Sequence, residues 1–345
     1  MNNLSFFLLL PLFLAIYYTF RKIGFLNENI NYSVHKKFGA TNKSPLIIGG
    51  IYLIIVVSLY FVKDLIILKL SLIFIYFLGL MSDKNILSSP KIRIILQILI
   101  LFFLVFFSNL TIDNLENNFL NNLLDNKIIN LCFTIFCFAI LVNGSNFLDG
   151  LNGLLSGYYL MIICSIFYIC ANNDSILFFH KEEIQIIFLS LLIFFIFNIF
   201  GKVYLGDGGS YLIATFIGFY LIEFVSSNLH IHISPYYIAA LLWYPAFENL
   251  FSISRRILGK NNVSEPDKQH LHQMIFLYLK SKKFFKMKFL NTISSMIILL
   301  LNLPIFISSS LMVTHSEKLA LLIIVNIFLY ILIYNFISKN LKIEK

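Results

Sequence analysis

Eleven stretches of almost unbroken apolar sequence, each near the length of one bilayer crossing, limit what this chain can fold into. They fall near residues 4–20, 46–62, 65–81, 92–108, 128–144, 153–171, 183–199, 209–225, 235–251, 288–311 and 318–337. A helix that crosses the hydrocarbon core needs ~20 mostly apolar residues. The segments run their apolar residues together and do not alternate them with polar ones, which excludes a β-barrel. A soluble core cannot absorb the surplus either: 59% of the residues are hydrophobic and 12% charged, against ~45–50% and ~25% in soluble domains. The same figures exclude a disordered chain, a disulfide scaffold and a nucleic-acid binder. The expected fold class is all-α, a polytopic integral membrane protein of about 11 transmembrane helices in a lipid bilayer, with residues 1–345 forming a single domain.

Charge placement gives an expected orientation, because Lys and Arg are enriched in cytoplasmic loops. If the first span runs inward, the inside segments are 21–45, 82–91, 145–152, 200–208, 252–287 and 338–345, and they hold 19 Lys/Arg. The outside segments hold four: Lys63, Lys127, Lys181 and Lys318. This predicts the N-terminus outside and the C-terminus in the cytoplasm. The first span has no basic residue before it and Arg21-Lys22 after it, so it reads as a retained helix and not as a cleaved signal. Cys132, Cys137, Cys164 and Cys170 lie in apolar spans without CxxC spacing or a nearby His, and read as plain packing residues.

Acidic and amide residues at the membrane face are costly and mark functional sites. Those that stand out share the cytoplasmic side: Asp83, the group Asn143, Asn146, Asp149 and Asn152, Asp207, Glu248, and the pair His270 and His272. The outer acids Asp113, Glu116, Asp125, Asp174, Glu182 and Glu183 sit in Asn- and charge-rich connectors without glycine framing, and read as solvated loop residues. Expected cytoplasmic motif loops are 21–45, 82–91, 143–154, 200–210 and 252–287.

Asn143, Asn146, Asp149 and Asn152 recur every third residue, which on a helical backbone makes one stripe. Gly144, Gly150 and Gly153 between them allow close approach of backbone or ligand. Such oxygen and amide groups suit Mg²⁺ and a nucleotide, although a capped helix end uses the same residues. In Gly206-Asp207-Gly208-Gly209-Ser210 one carboxylate lies among three glycines before a span. Free N–H groups at a helix N-terminus would cradle a phosphate, and an adjacent Asp could hold Mg²⁺; a glycine-rich interhelical turn is the plainer reading. Glu265-Pro-Asp-Lys-Gln-His-Leu-His272 lies in a basic segment with Arg255, Arg256, Lys260 and Lys268. Its two His could bind a metal, move protons or donate to phosphate. Positive-inside retention, with ~1 kcal/mol of attraction to anionic lipid per basic residue, accounts for the charge but not for the His pair.

These residues resemble a known family. Asn143–Leu154 resembles the Asn-x-x-Asn-x-x-Asp-Gly-x-(Asp/Asn)-Gly-Leu motif of the polyprenyl-phosphate N-acetylhexosamine-1-phosphate transferases. That family contains the enterobacterial-common-antigen and teichoic-acid initiating enzymes and the lipid I synthase of peptidoglycan. Lys202–Ser210 resembles its (Phe/Tyr)-x-Gly-Asp-x-Gly-Ser motif, and Pro266–His272 its Pro-Asp-Arg-x-His-(Ile/Leu)-His-His loop. Gly79–Lys84 with Leu87–Arg93 resembles Gly-x-x-Asp-Asp-Arg…Leu-Ser-x-Lys-x-Arg, and Pro45–Gly50 echoes an early Pro-x-x-Gly-Gly. The matches keep the family's order over roughly residues 35–275 and resemble its non-peptidoglycan branch.

The resemblance implies transfer of a sugar 1-phosphate from a cytoplasmic UDP-N-acetylhexosamine to undecaprenyl phosphate. UMP is released, with Mg²⁺ (or Mn²⁺) as cofactor, at the bacterial inner membrane, as the first step of an O-antigen, capsule or cell-wall glycan. It implies Asp207 as the first metal ligand, with Asp149 and Asn146 completing the metal–diphosphate shell. Asp83 and Lys91 would face the prenyl phosphate. His270, His272 and Lys268 would hold phosphate or sugar, Asn152 would contact substrate, and Tyr204 could stack on uracil or be an interfacial Tyr. The catalytic set is then Asp83, Asp149, Asp207, His270 and His272, and a homodimer is left open. Departures are Ser82 for the first Asp of the Asp-Asp pair, Asn152 for Asp, Lys268 for Arg, Gln273 for the last His, and Glu248 for an Asp. A catalytically degenerate relative and a polytopic transporter are the alternative readings.

Overall fold

The computed structural model describes residues 4–24, 45–61, 65–259 and 269–341. In chain order the elements are α1 (Leu4–Ile23), β1 (Leu46–Ile47), α2 (Gly49–Tyr60), α3 (Ile66–Asp83), α4 (Pro90–Phe107), α5 (Asn118–Leu124), α6 (Lys127–Leu148), α7 (Leu154–Asn172), α8 (Lys181–Ile199), β2 (Val203–Tyr204), α9 (Gly206–Ser227), α10 (Pro235–Leu258), α11 (Leu271–Lys282), α12 (Met287–Leu311) and α13 (Ser316–Leu341).

Among the described residues nine helices are long and apolar enough to cross a membrane: α1, α3, α4, α6, α7, α8, α9, α12 and α13. The chain is a multi-pass, all-α membrane protein. Two of the eleven expected spans fall short on these terms. α2 has 12 residues. α10 has 24, but its Tyr, Pro and Trp residues with Glu248 and Asn249 lower its hydropathy. The outer helices present apolar faces, such as Ile95, Leu99, Phe102 and Phe106 on α4 and Leu321, Ile324, Phe328 and Leu332 on α13, which only lipid or another apolar surface could cover.

The most enclosed helix is α9. Without a hydrophobic driving force inside lipid, helices associate where small residues let backbones approach. Gly208 of α9 lies against Gly79 of α3, where an added Cβ at Gly79 would stand 2.4 Å from the Gly208 Cα. Gly209 lies against Gly50 of α2 in the same way. β1 and β2 pair in parallel, Leu46 with Val203 and Ile47 with Tyr204, and Gly50 N–H donates to the Leu205 carbonyl at 3.0 Å. The starts of α2 and α9 are thereby pinned together.

The motif loops are shorter than expected. Asn143–Leu148 belongs to α6, Gly206–Ser210 to α9, and Ser82-Asp83 to the end of α3. The expected loop 252–287 contains the end of α10 and all of α11. Leu271, Met274, Ile275 and Leu279 form α11's buried face, an apolar helical stripe obscured in the sequence by the surrounding Lys residues. Residues 25–44, most of the 21–45 segment, and 260–268, with Lys268, lie outside the described residues.

Candidate active site at the start of α9

Gly206, the first residue of α9, has φ +79°. A Cβ there would stand 2.7 Å from Asp83 Oδ2 and 2.5 Å from Ile47 Cγ2, so both the backbone angle and the close packing require glycine. The first N–H groups of a helix have no partner within it and carry partial positive charge. Here carboxylates take them. Gly206 N–H donates to Asp149 Oδ2 (3.1 Å), Asp207 N–H to Asp83 Oδ1 (3.0 Å) and Gly208 N–H to Asp83 Oδ2 (3.3 Å). The expected free phosphate cradle is therefore corrected: two side-chain carboxylates already fill it.

Asp207 itself has a different set of partners. Its Oδ2 accepts from the Ser82 hydroxyl at 2.7 Å and lies 3.6 Å from Arg93 Nη1. Arg93 also donates to Ser82 Oγ at 2.5 Å. The Ser210 hydroxyl lies 3.0 Å from both Asn146 Oδ1 and the Asp207 carbonyl. Asp83 of α3, Asn146 of α6, Asp149 just after α6 and Asp207 of α9 thus meet at one end of the bundle.

His270 and His272 approach from the α11 side. His270 lies 4.5 Å from Phe147 and stacks on His272 at 5.5 Å with 6° between the rings. A Cβ on Gly150 would come within 3.2 Å of His272 Nε2, so this pair adjoins the turn that carries Asp149.

Other expected residues are placed differently. The three-residue stripe ends at Asp149, because α6 stops at Leu148 and Gly153 turns the chain into α7 at φ +79°. Asn143 donates to Gln97 Oε1 at 3.0 Å. Asn152 is buried in the turn, where its N–H donates to Asn291 Oδ1 (2.6 Å) and its carbonyl accepts from Ser295 (2.6 Å); these contacts tie it to α12. Tyr204 is buried in β2. Lys91 is exposed in the first turn of α4, while Arg93, two residues on, faces Asp207. Two helical residues so spaced point about 200° apart, which explains why the inward cation is Arg93. Sequence reasoning missed Arg93 because it sits at the end of an apolar span. Its signal was Pro90 at the start of α4, which fixes the helical phase of Lys91 and Arg93. Ser82, which stands where the family pattern has an acid, links Arg93 to Asp207 through its hydroxyl.

The donor set is hard oxygen: carboxylates, an amide and hydroxyls. That chemistry fits Mg²⁺, which keeps near-octahedral oxygen ligation and is usually held by one or two carboxylates with substrate phosphates. Among the described residues no three His, Cys, Asp or Glu form a ready-made cage, and Mg²⁺ of this kind needs none.

Fold and site define a multi-pass membrane protein whose polar centre is a carboxylate-capped helix start at one end of an apolar bundle. The family described as "Glycosyl transferase family 4" matches residues 65–225, which contain α3, α6 and α9 as far as Val225. The chain is 24% identical over 262 residues to the "Probable undecaprenyl-phosphate N-acetylglucosaminyl 1-phosphate transferase" of Bacillus subtilis (strain 168), covering 74% of this chain and 71% of the relative. It is 30% identical over 147 residues to the "Undecaprenyl-phosphate alpha-N-acetylglucosaminyl 1-phosphate transferase" of Thermotoga maritima, covering 42% and 43%. With the Escherichia coli O157:H7 protein of the same name it shares 26% over 209 residues, covering 58% and 54%. The matched part thus spans about half the length of the last two relatives. In its matched part the chain is thus similar to glycosyl transferase family 4 and to proteins named as undecaprenyl-phosphate N-acetylglucosaminyl 1-phosphate transferases.

Proposed function

We propose that the chain transfers an N-acetylhexosamine 1-phosphate from a UDP-sugar to undecaprenyl phosphate, releasing UMP, to initiate a surface or cell-wall glycan. An oxygen of the prenyl phosphate attacks the sugar-linked phosphorus of the donor, a new diphosphate bond forms, and the bond to UMP breaks. A phosphate monoester is already nucleophilic at pH 7, its second pKa being near ~6, so Ser82 in place of an acid removes no required base.

The observation that carries the reading is the meeting of Asp83, Asp149 and Asp207 around the first turn of α9. The acids gather at one end of the bundle and not at its middle, which favours an enzyme over a transporter. Asp207, Asp149 and Asn146 would hold Mg²⁺, whose chemistry when bound is to neutralise charge on the diphosphate. Arg93, already beside Asp207, is the cation that an arriving phosphate would meet. His270 and His272 would contact phosphate or sugar on the α11 side.

An apolar cavity of about 480 Å³ supports a prenyl acceptor. Phe133, Leu141, Ile222, Trp243, Phe247 and Ile327 are among its lining, from α6, α9, α10 and α13. It runs from residues 111–116, in the connector before α5, and His232, Ile233 and Pro235 to Ala246 and Leu250 of α10, on either side of Glu248 in sequence. The charge bias supports a site that faces the cytoplasm of a bacterial inner membrane, where nucleotide sugars are made. The test is purified protein with undecaprenyl phosphate, Mg²⁺ and a panel of UDP-N-acetylhexosamines. UMP release with at least one donor is expected; none with any donor would overturn the reading.

A further inference from the structure

Among the described residues two buried carboxylates lie outside the cluster at α9: Glu183, in the first turn of α8 and not the solvated loop residue expected, and Glu248. Glu248 of α10 is 1% exposed, and a charge in so apolar a place is costly unless its lone pairs are taken. Its Oε1 accepts from His270 Nδ1 at 2.9 Å and from the Leu271 N–H at 3.2 Å; its Oε2 accepts from the Tyr330 hydroxyl at 3.0 Å. Leu271 is the first residue of α11, so Glu248 satisfies an orphan helix donor and places a negative charge at the helix's positive end.

Each partner is itself held. Tyr330 of α13 is buried, with Phe247 and Phe251 edge-on to its ring at 4.9 and 5.3 Å. His270 and His272 are buried and nearly parallel, and His272 adjoins Gly150, next to Asp149. A continuous path therefore runs from Tyr330 through Glu248 and His270 to His272 and the turn at Asp149. Phe247, at the Tyr330 end, also lines the apolar cavity. A carboxylate at Nδ1 keeps the proton on that nitrogen and fixes the ring's orientation.

We propose that Glu248, braced by Tyr330, is a positioning residue that orients His270 and so seats His272 beside the Asp149 turn. Its effect on the reaction rests on the transfer reading above; its effect on the two rings does not. A residue that only filled space would be replaced best by an isostere. A positioning carboxylate would be replaced best by another carboxylate.

The experiment compares Glu248→Gln, Glu248→Asp and Tyr330→Phe with the wild-type full chain. Two readouts are taken: UMP release, and the rate at which diethyl pyrocarbonate modifies His270 and His272 without substrates, followed by peptide mass spectrometry. Glu248→Gln is expected to lower kcat/KM about tenfold or more, the usual size of a lost hydrogen bond to a charged group. Glu248→Asp should keep more activity than Glu248→Gln, and Tyr330→Phe should lose only about threefold, since it removes one of three donors. The two His should label faster in Glu248→Gln, while exposed His230 and His232 keep their rates. Glu248→Gln matching or exceeding Glu248→Asp in activity, or labelling unchanged in Glu248→Gln, would overturn the proposal. If the Glu248 variants do not fold, Tyr330→Phe decides: wild-type activity with wild-type labelling would also overturn it. Absence of UMP release by the wild type would sink the reaction reading alone, and the labelling would still judge the role of Glu248.

Discussion

The two ends of the helical bundle use the same residue types in different ways. In the connectors around α5, Asn side chains serve backbone groups close by. Asn114 accepts from the Glu116 N–H, Asn117 from Leu120, Asn121 from Leu115, and Asn126 from Ile128 and Ile129. These are local turns and helix caps. At the other end, where α6 finishes and α9 starts, Asp149 takes a donor 57 residues away and Asp83 takes donors 124 and 125 residues away. Glycine makes the difference. Gly50, Gly79, Gly206 and Gly208 let three helices approach until side chains from distant segments share one helix start. The connectors around α5 have no such glycines, and their amides find partners nearby.

This contrast breaks first at the helix crossing. Gly79→Val would drive a side chain into the Gly208 backbone, which cannot give way. Overpacking of this kind costs about 1–3 kcal/mol or more. Loss of measurable activity with a lower melting temperature is expected, and a variant with wild-type activity would show that the crossing does not set the site. Asp83→Ala comes next. It frees two N–H groups of α9 and should lower kcat/KM roughly a hundredfold, each bond to a charged group being worth about 1.5–3 kcal/mol. Ser82→Ala removes the hydroxyl between Arg93 and Asp207 and should cost about tenfold. Ser82→Asp is expected to leave kcat within about threefold, because the phosphate nucleophile needs no added base; a far larger gain would mean that Ser82 costs the chain a catalytic group. Asn117→Ala, at the opposite end, should remove about 1 kcal/mol of capping from α5. UMP release by that variant should match the wild type, which would sharpen the distinction between the two ends.

Much of this was legible in the sequence. The apolar segments mark the helices, and the spacing of polar residues marks Asp83, Asn146, Asp149 and Asp207, which the fold then brings together. What was not legible depends on partners far away in the chain. Nothing local to Gly206–Ser210 reveals that Asp83 and Asp149 occupy its N–H groups. Asn152 fits the three-residue rhythm of its neighbours, but Gly153 turns it toward Asn291 and Ser295. Arg93 was hidden by the apolar span it begins, and α11 by the lysines around it. Glu248 was legible as an unusual acid, but its partner Tyr330 lies 82 residues away in a helix without any motif.

The central claim is that the start of α9 is the chemical centre and the connectors around α5 are not. The most direct measurement compares UMP release by purified wild type, Asp207→Asn and Asn117→Ala under identical lipid, Mg²⁺ and donor conditions. Wild type and Asn117→Ala should release UMP at similar rates, while Asp207→Asn should fall at least about a hundredfold, the scale of losing one charge-stabilising group in phosphoryl transfer. An Asp207→Asn protein as active as Asn117→Ala would contradict the account.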